Sequence, residues 1–237
     1  MTGTDEALVL AGGLGTRLRS VVQDVPKPLA PIDGRPFVAW LLDALVAQGM
    51  RRIVLATGYL GDVVERELGT TWAGAALAYS RETEPLGTGG AIALAVNLIE
   101  GDSFFVLNGD TWLGIDYRAF DAQSEDDRAP LAMALAHVDD TARYGAVRVQ
   151  DAHVAGFVEK GQSGPGYINA GVYRLTRRML DAFPGEKRFS FEKDVLEPAV
   201  VRGDVGAYTR TEGFIDIGVP EDYARAASVL PISGGAP

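Results

Sequence analysis

Cysteine is absent from the whole chain, which removes disulfides, thiolate nucleophiles and cysteine-held zinc from consideration. Any metal must then be held by oxygen or by histidine. Histidine is nearly absent as well: His137 and His153 are the two in the chain. Neither stands beside a serine or acidic residue in a triad-like arrangement, so both read as structural or exposed. No apolar run approaches the roughly 18 residues that a membrane span requires, and Met1 to Glu6 carries no basic-then-apolar leader pattern. The expectation is a cytoplasmic protein that meets no membrane. Positive charge is also in deficit, with 22 lysines and arginines against 32 acidic residues and a formal charge of −10. Neutralising a nucleic-acid backbone takes clustered basic side chains, so no nucleic-acid partner is expected, and individual basic residues inside loops gain interest.

What is present is an alternation of short apolar runs and helical patterns over 237 residues, a length that suits one α/β domain. Ala7 to Ala11 reads as a buried strand feeding the Gly12-Gly13 turn. Val38, Leu41, Leu42, Leu45 and Val46 fall at helical spacing between Pro36 and Gly49. Strands follow over 52–57, 75–80 and 104–107, with helices over 62–68 and 90–99. Such alternation implies right-handed crossovers and a mixed, mainly parallel sheet with ligands at the carboxyl ends of its strands. The loops after Leu10 and Leu107 are therefore the ones to inspect. Strands over 131–137, 146–150, 155–160 and 168–175 have short connections and should bring antiparallel pairing. A helix over 191–201, a strand over 213–217 and a helix over 220–229 close a domain taken as residues 1–230. The Pro/Gly-rich tail, 231–237, is expected to be disordered.

Two loops carry chemistry. In Leu10-Ala11-Gly12-Gly13-Leu14-Gly15-Thr16-Arg17-Leu18, glycines directly after a strand let backbone N–H groups approach phosphate oxygens. A dinucleotide fingerprint would place glycine at Leu18, and a Walker loop would need Gly-Lys-Ser/Thr, so both familiar phosphate loops fail on residues. A tight turn without ligand remains the plain alternative. In Pro26-Lys27-Pro28-Leu29, two prolines fix the backbone around one lysine, although a lysine in such a loop is often only an exposed charge. Asp110 ends a buried strand at the ligand edge, and Asp216 lies in another apolar strand, so the two carboxylates can converge on one hard cation. Each alone could equally be a strand-end or capping aspartate.

Taken together, Gly12-Gly13-Leu14-Gly15-Thr16-Arg17 and Pro26-Lys27-Pro28 resemble the signature of the sugar-1-phosphate nucleotidyltransferases. The resemblance continues, in order, through Glu84-Pro85-Leu86-Gly87-Thr88-Gly89-Gly90, Asn108-Gly109-Asp110, Glu159-Lys160, Asn169-Ala170-Gly171 and Asp216-Ile217-Gly218. It implies a single-domain Rossmann-like fold of the glycosyltransferase-A type. It also implies a nucleotide site formed by Leu10, Ala11, Gly12, Gly13, Gly15, Thr16, Arg17, Glu84, Leu86, Gly87, Thr88, Gly89, Asn108 and Asp110. Mg²⁺ would be held by Asp110 and Asp216. Arg17 would steady the triphosphate, Lys27 would bridge the α-phosphate and the sugar phosphate, and Lys160 would hold the latter. Glu159, Asn169 and the Gly145 backbone would orient the sugar hydroxyls. The implied partners are a nucleoside triphosphate and a sugar 1-phosphate, with a homodimer as a family-level expectation.

That chemistry suits the plain residue inventory. A sugar 1-phosphate already carries an anionic oxygen, so in-line attack on the α-phosphorus needs neither a general base nor a covalent intermediate. It needs neutralised phosphates and a stabilised pyrophosphate leaving group. Within the family, segments 20–32 and 87–92, with 189–194 and 213–223, resemble the subgroup that uses GTP and a manno-configured heptose 1-phosphate. Glu82 and Glu84 could accept from the guanine N1–H and N2–H groups. Mannose 1-phosphate with GTP, or N-acetylmuramate 1-phosphate with UTP, are the readings nearest to this one. A silent nucleotide-sugar-binding regulatory subunit is the alternative from another class. The chain ends soon after 220–229, so a single activity without an appended β-helix is expected.

Overall fold

The computed structural model describes residues 3–13, 25–126, 128–158 and 161–231. Strands β1 (Glu6–Leu10), β2 (Pro31–Ile32), β3 (Arg35–Pro36), β4 (Arg52–Thr57), β5 (Thr71–Trp72), β6 (Ala75–Arg81) and β7 (Ser103–Asn108) occupy the first half. Helices α1 (Phe37–Ala47), α2 (Gly61–Leu68) and α3 (Gly87–Ala95) lie between them. The second half contains β8 (Thr111–Ile115), α4 (Tyr117–Asp126), β9 (Leu131–Val138), β10 (Val147–Gln150), β11 (His153–Phe157) and β12 (Gly166–Thr176). It continues with α5 (Glu197–Arg202), β13 (Val205–Tyr208), β14 (Thr211–Asp216) and α6 (Pro220–Arg225). A π-helical turn, Glu192–Leu196, leads into α5.

The main sheet runs β10-β11-β13-β9-β12-β7-β1-β4-β6-β5. β7, β1, β4 and β6 are mutually parallel, so their carboxyl ends form one edge. β12 enters antiparallel between β7 and β9, as the short connections in the second half imply. The parallel strands carry continuous apolar runs because helices cover both faces. Leu8, Val54 and Val106 point into a core shared with Ile92, Phe191 and Leu196. Their neighbours Val9, Leu55 and Leu107 point into the opposite core with Val38, Leu42 and Leu45 of α1. Burial of each such side chain contributes about 1.5–3 kcal/mol.

β8 and β14 form a separate antiparallel ribbon. Its Trp112, Ile215 and Ile217 pack with Phe37 and Leu41 of α1 in a third cluster. α1 thus has two jobs, holding the sheet with one stripe and the ribbon with another. The ribbon is the element that positions the site.

One expected strand is displaced. The run 155–160 is observed as β11, His153–Phe157, because Asp151 and Ala152, with φ of 48° and 60°, make a tight two-residue turn of the kind that joins hairpin strands. Residues 159 and 160, like 232–237, lie outside the described residues.

Candidate active site

Asn108, Gly109 and Asp110 leave the end of β7 beside the end of β1. The Gly109 N–H donates to Leu10 O at 2.9 Å, and a Cβ on Gly109 would stand 2.6 Å from that same oxygen. Glycine is therefore required for the two strand ends to approach this closely. One residue on, the chain enters β8, whose Thr111 pairs with Asp216 of β14, while Ile217 N–H donates to Asp110 O at 2.9 Å. Two aspartates far apart in sequence become neighbours through one ribbon register.

Lys27 joins them. Pro26 and Pro28 frame a 3₁₀ turn, Lys27–Leu29, whose Pro28 and Leu29 are buried, and the Lys27 ammonium pairs with the Asp110 carboxylate. It also lies beside Gly218, where a Cβ would meet Lys27 Nζ at 3.1 Å and Asp216 Oδ1 at 2.8 Å. The Gly218 N–H donates to Asp216 Oδ1 at 2.7 Å. Burial, and then the charge of Asp110, push the Asp216 carboxyl above the ordinary aspartate range, opposed by Lys27, the Gly218 N–H and Arg143. A carboxylate whose ionised form is disfavoured by a neighbouring carboxylate makes with it a pair that favours a cation.

A cleft of about 370 Å³ opens over Lys27 and Asp110, lined among others by Leu10, Ala11, Gly12, Gly13, Gly87, Thr88 and Asn108, with Asp216 outside that lining. It adjoins a second hollow that shares Gly12, Glu82 and Pro85 and adds Gly58, Tyr59 and Glu84. A Cβ on Gly12 would stand 3.2 Å from Gly58 N and 3.5 Å from Glu82 Oε1. Glu82 is half-buried and accepts the Leu86 N–H at 3.1 Å; burial raises its carboxyl above the usual range, and that hydrogen bond partly opposes the shift.

The expected residues divide accordingly. Leu10, Ala11, Gly12, Gly13, Lys27, Gly87, Thr88, Asn108 and Asp110 meet at the cleft, and Glu84 lines its side hollow, exposed. Leu86 and Gly89 are outside that lining: Gly89 N–H donates to Phe189 O at 3.1 Å, and its Cα faces the Phe189 ring, 2.2 Å from where a Cβ would be. The Thr88 hydroxyl donates to Glu192 at 2.6 Å and accepts from Phe191 N–H. Asn169 donates to Tyr173 Oη at 2.8 Å and accepts from Gly171 N–H at 2.9 Å, and so shapes the bulge between Asn169 and Val172. Gly145 has φ of 84°, and its N–H donates to Thr141 O at 2.9 Å. Gly15, Thr16, Arg17, Glu159 and Lys160 lie outside the described residues.

Sequence reading missed Glu192, Arg143 and Asp222. Glu192 lines the cleft on the π-helical turn. Asp222, buried in the first turn of α6, pairs with Arg143 and with Arg225 Nε at 2.9 Å. Glu192 and Asp222 fall in the subgroup-like segments 189–194 and 213–223, but nothing in those segments gives either of them a role.

Known proteins place this arrangement. The nucleotidyl transferase family model matches residues 6–231. The chain is 39% identical to D-glycero-α-D-manno-heptose 1-phosphate guanylyltransferase of Aneurinibacillus thermoaerophilus, covering 95% of this chain and 98% of that one. It is 38% identical to the enzyme of that name from Campylobacter jejuni, covering 92% and 96%. It superposes on the HddC protein of Yersinia pseudotuberculosis complexed with GMP-PN with a TM-score of 0.84 at 41% identity, covering 95% and 99%. With its glycine loop, Lys27 and paired aspartates at the carboxyl edge of the sheet, the chain belongs to the nucleotidyl transferase family.

Proposed function

We propose that this protein transfers GMP from GTP to D-glycero-α-D-manno-heptose 1-phosphate, forming GDP-heptose and pyrophosphate. The observation that carries the reading is the layout of the carboxyl edge, together with near full-length similarity to heptose 1-phosphate guanylyltransferases. Lys27 and Asp110 mark its centre. The hollow around Gly12 and Glu82 lies to the β4–β6 side, and the β9–β12 side receives the second substrate. A half-buried carboxylate beside Gly12 suits the N1–H and N2–H edge of guanine, which offers two adjacent donors.

The residues act by position and charge. Gly12 and Gly13 present backbone close to the phosphates without side-chain obstruction. The Lys27 ammonium, held low in the cleft by its prolines, faces the negative charge that grows as the sugar-phosphate oxygen attacks the α-phosphorus and the bond to pyrophosphate breaks. No proton need be removed from the nucleophile. The donor set of Asp110 and Asp216 fits Mg²⁺, a hard cation that takes one or two carboxylates alongside phosphate oxygens, and bound there it would supply charge neutralisation for the triphosphate.

A pyrophosphate-release assay across nucleotide and sugar 1-phosphate pairs tests this. GTP with the manno-configured heptose 1-phosphate is expected to give the highest kcat/KM. A preference for UTP or dTTP by about tenfold, ~1.4 kcal/mol, overturns the guanylyl assignment, and a like preference for mannose 1-phosphate overturns the heptose.

A further inference from the structure

Asp222 is 5% exposed, and a carboxylate so enclosed needs partners. Its oxygens face Arg143 Nη1, Arg225 Nε at 2.9 Å and the Tyr144 hydroxyl at 3.5 Å. Two guanidiniums on one carboxylate leave this cluster with net positive charge. The Arg143 guanidinium is fixed from a second direction by the Tyr144 ring, over which it sits at 4.8 Å. That ring in turn meets Phe214 of β14 edge-on at 5.5 Å. From this seat the other fork of Arg143, Nη2, points towards Asp216, with Oδ2 at 4.0 Å. That separation is a charge contact and too long for a hydrogen bond. Nη2 has no hydrogen bond among the described residues, and the Arg143 side chain is 43% exposed.

The place matters as much as the pairing. Arg143 lies on the loop after β9, at the same sheet edge as Asp110 but across β7 from Gly12 and Glu82. In the reading above, Lys27 and a cation on Asp110 and Asp216 serve the reacting triphosphate. A further cation beside Asp216 would be left to hold the phosphate of the second substrate. Helix α6 supplies its anchor, and the same helix is tied to the lysine loop by Tyr223 Oη donating to Pro31 O at 2.5 Å.

We propose that Arg143 binds the phosphate of the sugar 1-phosphate through Nη2, and that Asp222 is the positioning residue that holds it there. The inference rests on the sugar-phosphate reading above, which assigns the β9–β12 side to the second substrate. Arginine suits the role because its planar fork can serve the anchor and the ligand at once, as a lysine ammonium on a flexible stem cannot.

The test uses GTP and whichever sugar 1-phosphate the wild-type enzyme turns over, so failure of the heptose assignment leaves it intact. Asp222→Asn and Arg143→Ala should each raise KM for the sugar 1-phosphate about tenfold or more, with the GTP dissociation constant changed less than about twofold. Arg143→Lys should recover part of the loss. The double variant should lose little more than Arg143→Ala alone, because Asp222 acts through Arg143. Arg225→Gln, which removes the other partner of Asp222 at an exposed position, should leave both constants near wild type. If Asp222→Asn fails to fold, the surface variant Arg143→Ala decides alone. An unchanged sugar-phosphate KM in Arg143→Ala, or equal weakening of both substrates, overturns the proposal.

Discussion

The Lys27 ammonium pairs with the Asp110 carboxylate across 83 residues of sequence, so the proline-framed loop and the end of β7 share one point of the cleft. Asp216 stands close enough that both neighbours shift its protonation, Asp110 upward and Lys27 downward. The basic loop and the acidic ribbon form one electrostatic unit.

Lys27→Ala should lower kcat/KM by about 10²-fold or more, since the ammonium faces reacting phosphates. The fold should survive: a partly exposed ion pair contributes about 0–1 kcal/mol, and the neighbouring Pro28 and Leu29 provide the burial. Thermal melting alongside steady-state kinetics checks this. A collapsed melting temperature with normal specific activity in the folded fraction would make Lys27 structural.

Gly109→Ala should be costly where Gly13→Ala is mild. The added methyl at 109 would enter to 2.6 Å of Leu10 O, a backbone atom that cannot swing aside, whereas at 13 no described atom stands within 4 Å. Overpacking of this kind costs about 1–3 kcal/mol. Urea unfolding of the two variants should show a lower midpoint for Gly109→Ala and near-native stability for Gly13→Ala. Equal midpoints would contradict the close approach of the two strand ends.

Glu82 gives a pH-dependent prediction. Burial holds its carboxyl above the ordinary value in the folded protein, so the folded state binds that proton more tightly than the unfolded chain. The associated stability is full below the unfolded pKa and is lost as pH rises through the raised folded pKa. Glu82→Gln should therefore melt higher than wild type at neutral pH, with the gap closing below about pH 4, near the unperturbed glutamate value. The same variant should weaken GTP more than UTP if the carboxylate reads guanine. A melting difference that grows towards acid pH would reverse the sign and exclude the burial effect.

Much of this frame is legible in the sequence because β1, β4 and β7 are buried on both faces and announce themselves as unbroken apolar runs. The glycine and Pro-Lys-Pro loops are legible for a related reason: their residues are chosen by backbone geometry. β8 is harder to see, because Thr111–Ile115 is a short run that starts only two residues after β7 ends, where the chain reads as a loop rather than as a reversal into a second sheet. β13 hides behind Gly206 and Ala207, poor strand formers that pair in parallel with β9. Without β8 the neighbourhood of Asp110 and Asp216 cannot be derived, only supposed from strand ends. Arg143 and Asp222 were invisible because their meaning lies wholly in a tertiary pairing.

Asp110 and Asp216 support the most discriminating test. The ribbon register that pairs Thr111 with Asp216 gives both carboxylates to one place, and the charge of Asp110, after burial, adds to the cost of ionising Asp216. Asn preserves the shape of either side chain while removing a charge and weakening a ligand for a hard cation. Each single Asn variant should lose activity by about 10²–10³-fold, ~3–4 kcal/mol, as other electrostatic stabilisers do, and raised Mg²⁺ should restore part of it. The stability of Asp216→Asn should change in the opposite sense, because that variant relieves a partly buried carboxylate that Asp110 repels. If both act through one ion, the double variant should lose far less than the sum of the singles. Initial rates over a Mg²⁺ titration for the four proteins provide the readout. Additive losses, or a single variant with near-normal activity at low Mg²⁺, would mean that the two aspartates serve separate ends and that their closeness in the ribbon has another cause.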